Sequence, residues 1–175
     1  ASMSGCVLEA NVADVDGGGL YVKGSNQLLI ASSDMLNNSA PRGGGLFAQA
    51  SKPDVRHSLI ADNTGHLGGV TCALSRVEVH LEHVTARNNM AASTDKAIST
   101  AGGGLACDSS KMIISNASFE SNNATSPDKL KGRGGGVAAT QCECVFTETR
   151  FERCEANEGG GVSWSGFWPL YIVDG

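Results

Sequence analysis

A run of glycines followed by an aliphatic residue recurs six times along this chain of 175 residues. The aliphatic residues that close the runs are Leu20, Leu46, Val70, Leu105, Val137 and Val162. Self-similarity with a period of about 20 to 50 residues is typical of solenoids, in which each repeat is one unit stacked on its neighbours. This repeat therefore constrains the fold more than any other feature of the sequence.

Two further apolar positions follow each glycine run. Nine residues after the aliphatic residue stand Leu29, Val55, Val79, Ile114, Phe146 and Tyr171. Fourteen or fifteen residues after it stand Met35, Ile60, Val84, Phe119 and Phe151. Apolar and polar residues alternate locally around these positions and show no 3.6-residue period, which indicates short strands. We interpret each repeat as one coil with three short strands.

An asparagine follows the second apolar position by three residues, or by four in one repeat. The predicted members of this column are Asn11, Asn38, Asn63, Asn88 and Asn122, with Cys154 at the last equivalent position. Stacked strands lie about 4.8 Å apart, so amides in one column can hydrogen-bond to each other along the stack. The sequence therefore predicts a structural asparagine ladder.

The segment from glycine run to asparagine keeps 17 or 18 residues, whereas the return to the next glycine run takes 7 to 17. Constant arcs with one variable corner are typical of stacked coils. We predict an all-β parallel β-helix of about five to six coils, with residues 1–175 as a single segment. An antiparallel sandwich with glycine-rich linkers is the alternative architecture.

Both ends of the chain fall within a coil. An open end of a solenoid exposes strand edges and apolar rungs. We therefore expect an excerpt of a longer solenoid, unless the apolar tail 167–173 folds over the end as a cap.

The repeats resemble those of polymorphic outer membrane proteins, which carry a Gly-Gly-x-aliphatic motif and a Phe-x-x-Asn motif in each coil. The segment Phe119-Glu120-Ser121-Asn122 matches the second motif in full, and Ile60 with Asn63 and Met35 with Asn38 match it loosely. The resemblance spans nearly the whole chain. It implies a right-handed parallel β-helix of the pectin-lyase-like superfamily and a role in adhesion.

Charge and composition exclude several functions. The chain has 13 basic and 18 acidic residues, a formal charge of −5, and lacks the clustered lysines and arginines that nucleic-acid phosphates require. The chain contains no stretch of 18 or more apolar residues, so we predict no direct membrane span. No convergent carboxylate pair stands out, and His80 and His83 lack a third ligand nearby. We therefore predict no catalytic residues, no metal and no cofactor. A polysaccharide lyase or hydrolase, or an inactive relative, is the alternative.

Six cysteines and three Asn-x-Ser/Thr sequons favour secretion. Cys72 and Cys107 occupy the same position in consecutive coils, which predicts either a disulfide or two packed thiols. Cys142 and Cys144 are expected on opposite faces of one strand. The candidate glycosylation sites are Asn37, Asn116 and Asn123. The expected location is outside the cell or at its surface.

Two surfaces are candidates for binding. The long corner loops 89–101 and 123–133 leave adjacent coils at one edge, and loops on a rigid scaffold often bind partners, although solvent loops are the plainer reading. Their candidate residues are Ser93, Thr94, Asp95, Lys96, Ser126, Pro127, Asp128 and Lys129. Tyr21 and Phe47 are predicted to stack as an exposed aromatic pair, a platform for a sugar or protein or simply ordinary surface.

These features together predict a non-catalytic structural or adhesive protein that acts as a scaffold, a filament component or a binding surface. The expected partners are neighbouring coils or subunits of a larger assembly, glycans and surface proteins.

Overall fold

The computed structural model describes residues 1–73, 78–93, 99–126 and 132–173, apart from the side chains of Cys72 and Ala73. Within these ranges the chain is all-β, no helix occurs, and the strands of each sheet run parallel. Consecutive strands enter different sheets. In the same ranges, no helix has the length and hydropathy needed to cross a membrane.

Three large sheets, named I, II and III, each take one strand per repeat in the order of the chain. Sheet I contains Ser2–Ser4, Leu28–Ala31, Pro53–Arg56, Glu78–Glu82, Lys111–Ser115, Glu143–Thr147 and Leu170–Val173. Sheet II contains Val7–Glu9, Asp34–Leu36, Leu59–Ala61, Thr85–Arg87, Ser118–Glu120 and Arg150–Glu152. Sheet III contains Leu20–Lys23, Leu46–Gln49, Val70–Ala73, Leu105–Asp108, Val137–Thr140 and Val162–Ser165.

Two small sheets lie between sheets II and III along the chain. One contains Thr64–Gly65, Met90–Ala91, Asn123–Ala124 and Glu155–Ala156, and the other contains Thr100–Ala101 and Gly132–Arg133. Loops 89–101 and 123–133 therefore pair with each other where they leave the stack and again where they return. The variable corner adds short strands to the three strands predicted for each repeat.

Inward side chains of the three large sheets form one apolar core. The inward column of sheet II contains Leu8, Met35, Ile60, Ala86, Phe119 and Phe151. Residues in the middle of the stack, such as Leu46, Ile60 and Ile114, are fully buried. Burial of a side chain of this size stabilises the fold by about 1.5 to 3 kcal/mol. Apolar columns therefore supply the main stabilisation.

The predicted spacings fail at several positions. Ile30, Leu81 and Ile172 stand in the inward column of sheet I where Leu29, Val79 and Tyr171 were expected. In sheet II, Ala86 stands where Val84 was expected. The cause is a second variable site, the turn from sheet III to sheet I, which the sequence pattern did not reveal. A turn that adds no core rung tolerates an extra residue at little cost.

Each turn into or out of sheet II uses the same two-residue device. The first residue is left-handed, as in His57 (φ 48°), Asn37 (φ 53°) and Asn88 (φ 52°). This backbone costs a non-glycine residue roughly 1 to 2 kcal/mol. In most repeats the second residue turns a polar side chain inward and hydrogen-bonds to the neighbouring repeat, which offsets that cost.

Candidate functional site

The asparagine ladder lies at the turn that follows sheet II. The Oδ1 atom of Asn63 accepts hydrogen bonds from the backbone N (2.9 Å) and Nδ2 (3.1 Å) of Asn38. The Nδ2 atom of Asn63 donates to Asn89 Oδ1 (3.0 Å) and to the carbonyl of Met35 (2.9 Å). Each buried amide therefore links three consecutive repeats and leaves none of its polar atoms without a partner.

The structure places Asn11, Asn38, Asn63 and Asn122 in this column, but Asn88 was wrongly assigned to it. Asn88 is an exposed left-handed residue, whereas Asn89 is fully buried and bonds to Asn63 and Asn122. Leu81 follows Val70 by eleven residues, whereas Val55 follows Leu46 by nine, so this repeat is shifted relative to its glycine run. The ladder position follows the strand register and not the glycine run.

Two serine ladders, which sequence reasoning missed, line the other turns. Between sheets I and II, the amide of Cys6 donates to Ser33 Oγ (3.2 Å) and that of Ser33 to Ser58 Oγ (3.1 Å). Between sheets III and I, the amide of Ser25 donates to Ser51 Oγ (3.0 Å). The signal for them was a serine two residues after a strand, which recurs at Ser25, Ser33, Ser51, Ser58 and Ser110.

Three cysteines take the places of these serines and asparagines. The thiols of Cys6, Cys142 and Cys154 each donate to the carbonyl two residues earlier, at 3.4, 3.2 and 3.4 Å. Ser33, Ser51 and Ser58 make the same bond with their hydroxyls. These three cysteines therefore have a structural role as hydrogen-bonding ladder residues.

Replacement of Cys154 by asparagine is expected to raise the free energy of unfolding by about 1 kcal/mol. Asn122 Nδ2 donates to the Ala86 carbonyl (2.8 Å), but its second bond is a long one of 3.9 Å to the Cys154 sulfur, and an asparagine Oδ1 would accept that bond at ordinary length. Urea unfolding monitored by tryptophan fluorescence measures the change. The control is Cys6→Ser, which keeps its ladder bond and should leave stability nearly unchanged. A less stable Cys154→Asn variant would contradict the expectation.

The remaining cysteines cluster where sheet III turns into sheet I. Cys72 and Cys107 are paired in register on neighbouring strands, but the side chain of Cys72 lies outside the described part of the chain, so their disulfide stays a prediction. Cys142 and Cys144 were expected on opposite faces, yet both are fully buried. The expectation was wrong because residues two apart along an extended chain point to the same face, which places both cysteines inward.

The environment separates the two neighbouring thiols chemically. A hydrogen bond from Cys107 lowers the pKa of Cys142, against the effect of burial, and the Ser110 amide adds to the lowering. Burial, together with the nearby Cys142 and Glu143, raises the pKa of Cys144 to about 12. Cys142 is therefore the more readily ionised of the two.

The aromatic pair Tyr21 and Phe47 stacks, with ring centroids 5.8 Å apart, but it is not an exposed pair. Tyr21 is 44% exposed and Phe47 is fully buried. The guanidinium of Arg42 lies 4.9 Å from the centre of the Phe47 ring, and Asp16 holds Arg42 at 2.6 Å. This ion pair covers the ring, so the predicted platform is wrong for Phe47.

The loop edge is described only at its base. Thr94, Asp95, Lys96, Pro127, Asp128 and Lys129 lie outside the described residues. Ser93 and Ser126 are buried at the necks of the two loops. Asn157 Oδ1 accepts from the amides of Ser126 (3.0 Å) and Gly132 (3.2 Å), which closes the neck of the second loop.

The three sequons differ in exposure. Asn37 and Asn116 are exposed left-handed residues at turns. Asn123 is half-buried; its Oδ1 accepts from the Thr125 amide (2.8 Å) and its Nδ2 donates to Glu155 (3.3 Å). Asn37 and Asn116 are therefore the more accessible acceptors.

A groove of about 450 Å³ opens beside the turn from sheet III to sheet I, and sequence reasoning did not identify it. It is lined by Ser109, Ser110, Lys111, Gln141, Glu143 and Trp168. The Trp168 side chain is 56% exposed. Lys111 Nζ lies 3.7 Å from Glu143 Oε1, so the two charges of the groove offset each other. The groove thus combines an indole with an amide, two hydroxyls and an ion pair.

Local backbone geometry brings Trp168 to this groove. Strand pairing places Thr140 opposite Ser165 in sheet III and Cys144 opposite Leu170 in sheet I. The turn between Ser165 and Leu170 therefore has one residue more than the turn between Thr140 and Cys144. Gly166 makes this possible with φ 138°, and a Cβ there would lie 2.8 Å from the Gln141 Cα. The additional residue leaves the aromatic tail partly outside the stack.

One pair of carboxylates comes together on the outer face of sheet II. Glu120 and Glu152 are paired in register on neighbouring strands. Each is engaged locally, Glu120 by Ser118 Oγ (2.6 Å) and Glu152 by Arg150. Among the described residues, no group of three or more His, Cys, Asp or Glu side chains is placed to hold a metal ion.

Comparison of the chain with protein-family models, curated proteins and solved structures gives no match.

Proposed function

We propose that this chain is a right-handed parallel β-helix of about five to six coils that serves as a structural or adhesive scaffold outside the cell or at its surface. Parallel strands joined by crossovers within one sheet are right-handed in about 98% of cases, which supports the handedness. The all-parallel sheets and the one-strand-per-repeat order support the coil. The proposed role is non-catalytic, with neighbouring coils or subunits, glycans and surface proteins as the partners.

The observation that carries this proposal is the ladder-locked stack. Polar ladders at the turns hold successive repeats together, while the apolar columns fill the centre. A binding site needs side chains on rigid elements, and a stack of this kind supplies them along its outer surface. The way repeats are fixed to each other therefore supports the proposed role as a scaffold.

The location rests on the sequons. Asn37 and Asn116 are exposed at turns, where an attached glycan meets no steric obstacle from the core. Cysteines give weaker support, because those in ladder positions act as hydrogen-bond donors and need no oxidising compartment. Expression in a secretory host followed by intact-mass measurement tests the location, and a chain without glycan at either asparagine would count against it.

The groove beside Trp168 is the proposed adhesive site. An indole offers an apolar face to the C–H groups of a sugar, while Gln141 and Ser109 supply polar atoms for its hydroxyls. Cavities that take small ligands commonly have volumes of about 300 to 1,000 Å³, a range that includes this groove.

Replacement of Trp168 by alanine is expected to weaken binding to a panel of immobilised neutral oligosaccharides at least about ten-fold, since 1.4 kcal/mol of lost contact is a factor of ten. Biolayer interferometry measures the affinity. The matched control is Phe167→Ala, because Phe167 is the fully exposed neighbour that does not line the groove. No binding by the parent chain, or an equal loss in both variants, would remove the adhesive site.

A polysaccharide-active enzyme is the second candidate, favoured by the adjacent carboxylates of Glu120 and Glu152. Neighbouring strands are about 4.8 Å apart, near the roughly 5 to 5.5 Å that separates the carboxyl groups of retaining glycosidases. Release of reducing ends from pectin or related polymers tests it. Turnover that disappears in the Glu120→Gln variant would replace the non-catalytic proposal.

A further inference from the structure

Two histidines from consecutive repeats stack on each other at the turn between sheets I and II. The ring centroids of His57 and His83 lie 4.8 Å apart, with an angle of 11° between the ring planes. Both residues are exposed and have a left-handed backbone, with φ 48° and φ 52°. The amide of His57 donates to the carbonyl of Glu82 (3.0 Å), the residue directly before His83. Pairing of the two repeats therefore holds the two imidazoles side by side.

The nitrogen atoms of these two rings are available to a ligand. Within the described part of the chain, neither imidazole takes part in a hydrogen bond or an ion pair. By contrast, His80 Nε2 lies 3.3 Å from Glu78 Oε1. A neutral imidazole offers one nitrogen lone pair, and it is the commonest metal ligand among protein side chains. His57 and His83 are therefore a candidate pair of metal ligands.

Stacking by itself is the simpler explanation of this pair. The rings of Phe119 and Phe151 also stack, with centroids 5.2 Å apart, but Phe119 is buried and fills the core. The two histidines lie at the surface, where stacking removes little apolar area from water and contributes little to stability. Use of the ring nitrogens accounts better than packing for two polar rings at this position.

The charged groups beside the pair favour a cation. Arg56 directly precedes His57, and its guanidinium lies 2.7 Å from Asp54 Oδ1 and 3.4 Å from Glu82 Oε2. Two carboxylates therefore surround one guanidinium, and the three groups together carry a net negative charge. A positively charged ligand at the two imidazoles meets no net repulsion from these neighbours.

We propose that His57 and His83 bind one divalent ion of a late transition metal (Ni²⁺, Cu²⁺ or Zn²⁺) through one nitrogen of each ring. Imidazole suits these ions, whereas Mg²⁺ and Ca²⁺ prefer oxygen ligands. Metal–nitrogen bonds of about 2.0 to 2.1 Å place two neighbouring ligand nitrogens about 3 Å apart, so the exposed rings rotate about their side-chain bonds to converge. Water completes the coordination, and the ion links two consecutive repeats. This site replaces the sequence-based prediction that the chain holds no metal.

The experiment is isothermal titration calorimetry of the tag-free chain with nickel(II) nitrilotriacetate. The chelator leaves two adjacent coordination positions on Ni²⁺ open, so this probe binds firmly only where two imidazoles converge. We expect one molecule of the probe to bind per chain. The variants His57→Asn and His83→Asn should each weaken binding at least about ten-fold, because two linked donors commonly gain about 100-fold or more over one donor.

Asparagine is the matched replacement, because Asn116 occupies the equivalent position of the next repeat with φ 49°. The control His80→Asn removes an imidazole outside the pair and should bind the probe as tightly as the parent chain does. The probe should also raise the thermal midpoint of the parent chain and of His80→Asn, since a ligand of the folded state stabilises it. No binding by the parent chain, or undiminished binding by His57→Asn or His83→Asn, would overturn the proposal.

Discussion

Replacement of Asn89 by alanine is expected to lower the free energy of unfolding by roughly 2 to 4 kcal/mol. The Asn89 side chain accepts from the backbone N and Nδ2 of Asn63 and donates to Asn122 Oδ1 and the Ile60 carbonyl. Its removal leaves the buried Asn63 amide without that acceptor and opens a small cavity in the stack. Urea unfolding at equilibrium measures the loss.

The control for this prediction is the neighbouring variant Asn88→Ala. Asn88 is exposed and left-handed, so its loss removes only the greater tolerance of asparagine for that backbone, worth about 1 kcal/mol or less. The two variants differ by one position and by burial. Equal destabilisation by both would mean that the ladder contributes nothing beyond the turn.

The substitution Gly103→Ala is expected to destabilise the chain by roughly 3 kcal/mol or more, or to prevent folding. An added Cβ would lie 2.5 Å from the Gly135 carbonyl oxygen and 2.6 Å from the backbone N and O of Asn123. All three are main-chain atoms, from the next glycine run and from the corner after sheet II, which cannot move without breaking the stack. Soluble yield and the thermal midpoint measure the effect.

A glycine that lacks such neighbours provides the comparison. Gly24 has φ 69° and no atom within 4 Å of the position of an added Cβ, so Gly24→Ala adds only the left-handed penalty, roughly 1 to 2 kcal/mol. Comparison of the two variants shows whether glycine is needed at position 103 because main-chain atoms approach closely or because the backbone needs a left-handed conformation. If Gly103→Ala lowered stability no more than Gly24→Ala, the main chain around position 103 would be able to move and the expectation would be wrong.

The sequence repeat predicted much of the asparagine ladder because the spacing from apolar residue to inward amide is the same in most repeats. Asn38, Asn63 and Asn122 follow their apolar position by three residues because strand, left-handed residue and inward amide form one compact unit. Asn89 follows Ala86 by the same three residues. The error at Asn88 arose because the position was counted from the glycine run, across a turn whose length varies.

The cysteines show a second limit of sequence reasoning. An even number of cysteines suggests disulfides, and the repeat placed Cys154 in the asparagine column, but the sequence does not reveal that Cys142 occupies a serine position. That equivalence depends on which carbonyl each side chain reaches. The contact of Cys142 with Cys107 likewise depends on how a turn of one repeat meets a strand of the repeat before it.

Surface exposure was the least predictable property. Alternation correctly placed Tyr21 and Phe47 side by side. Whether the outward face of a strand meets solvent depends on contacts between repeats, here the ion pair of Arg42 with Asp16 of the preceding repeat. In the sequence, Trp168 was considered only as part of a possible cap. The turn residues that line the groove with it are far away in the chain, and the sequence around Trp168 does not indicate them.

The sequence by itself determined that the chain is all-β and that apolar and amide residues recur in columns, since both follow from local alternation and from the repeat. Only the tertiary structure decided the register of each column, the ladder positions of Cys6 and Cys142, the burial of Phe47 and the groove beside Trp168. The physical reason is that strand alternation acts between adjacent residues, whereas turn length and side-chain cover are set by contacts between repeats.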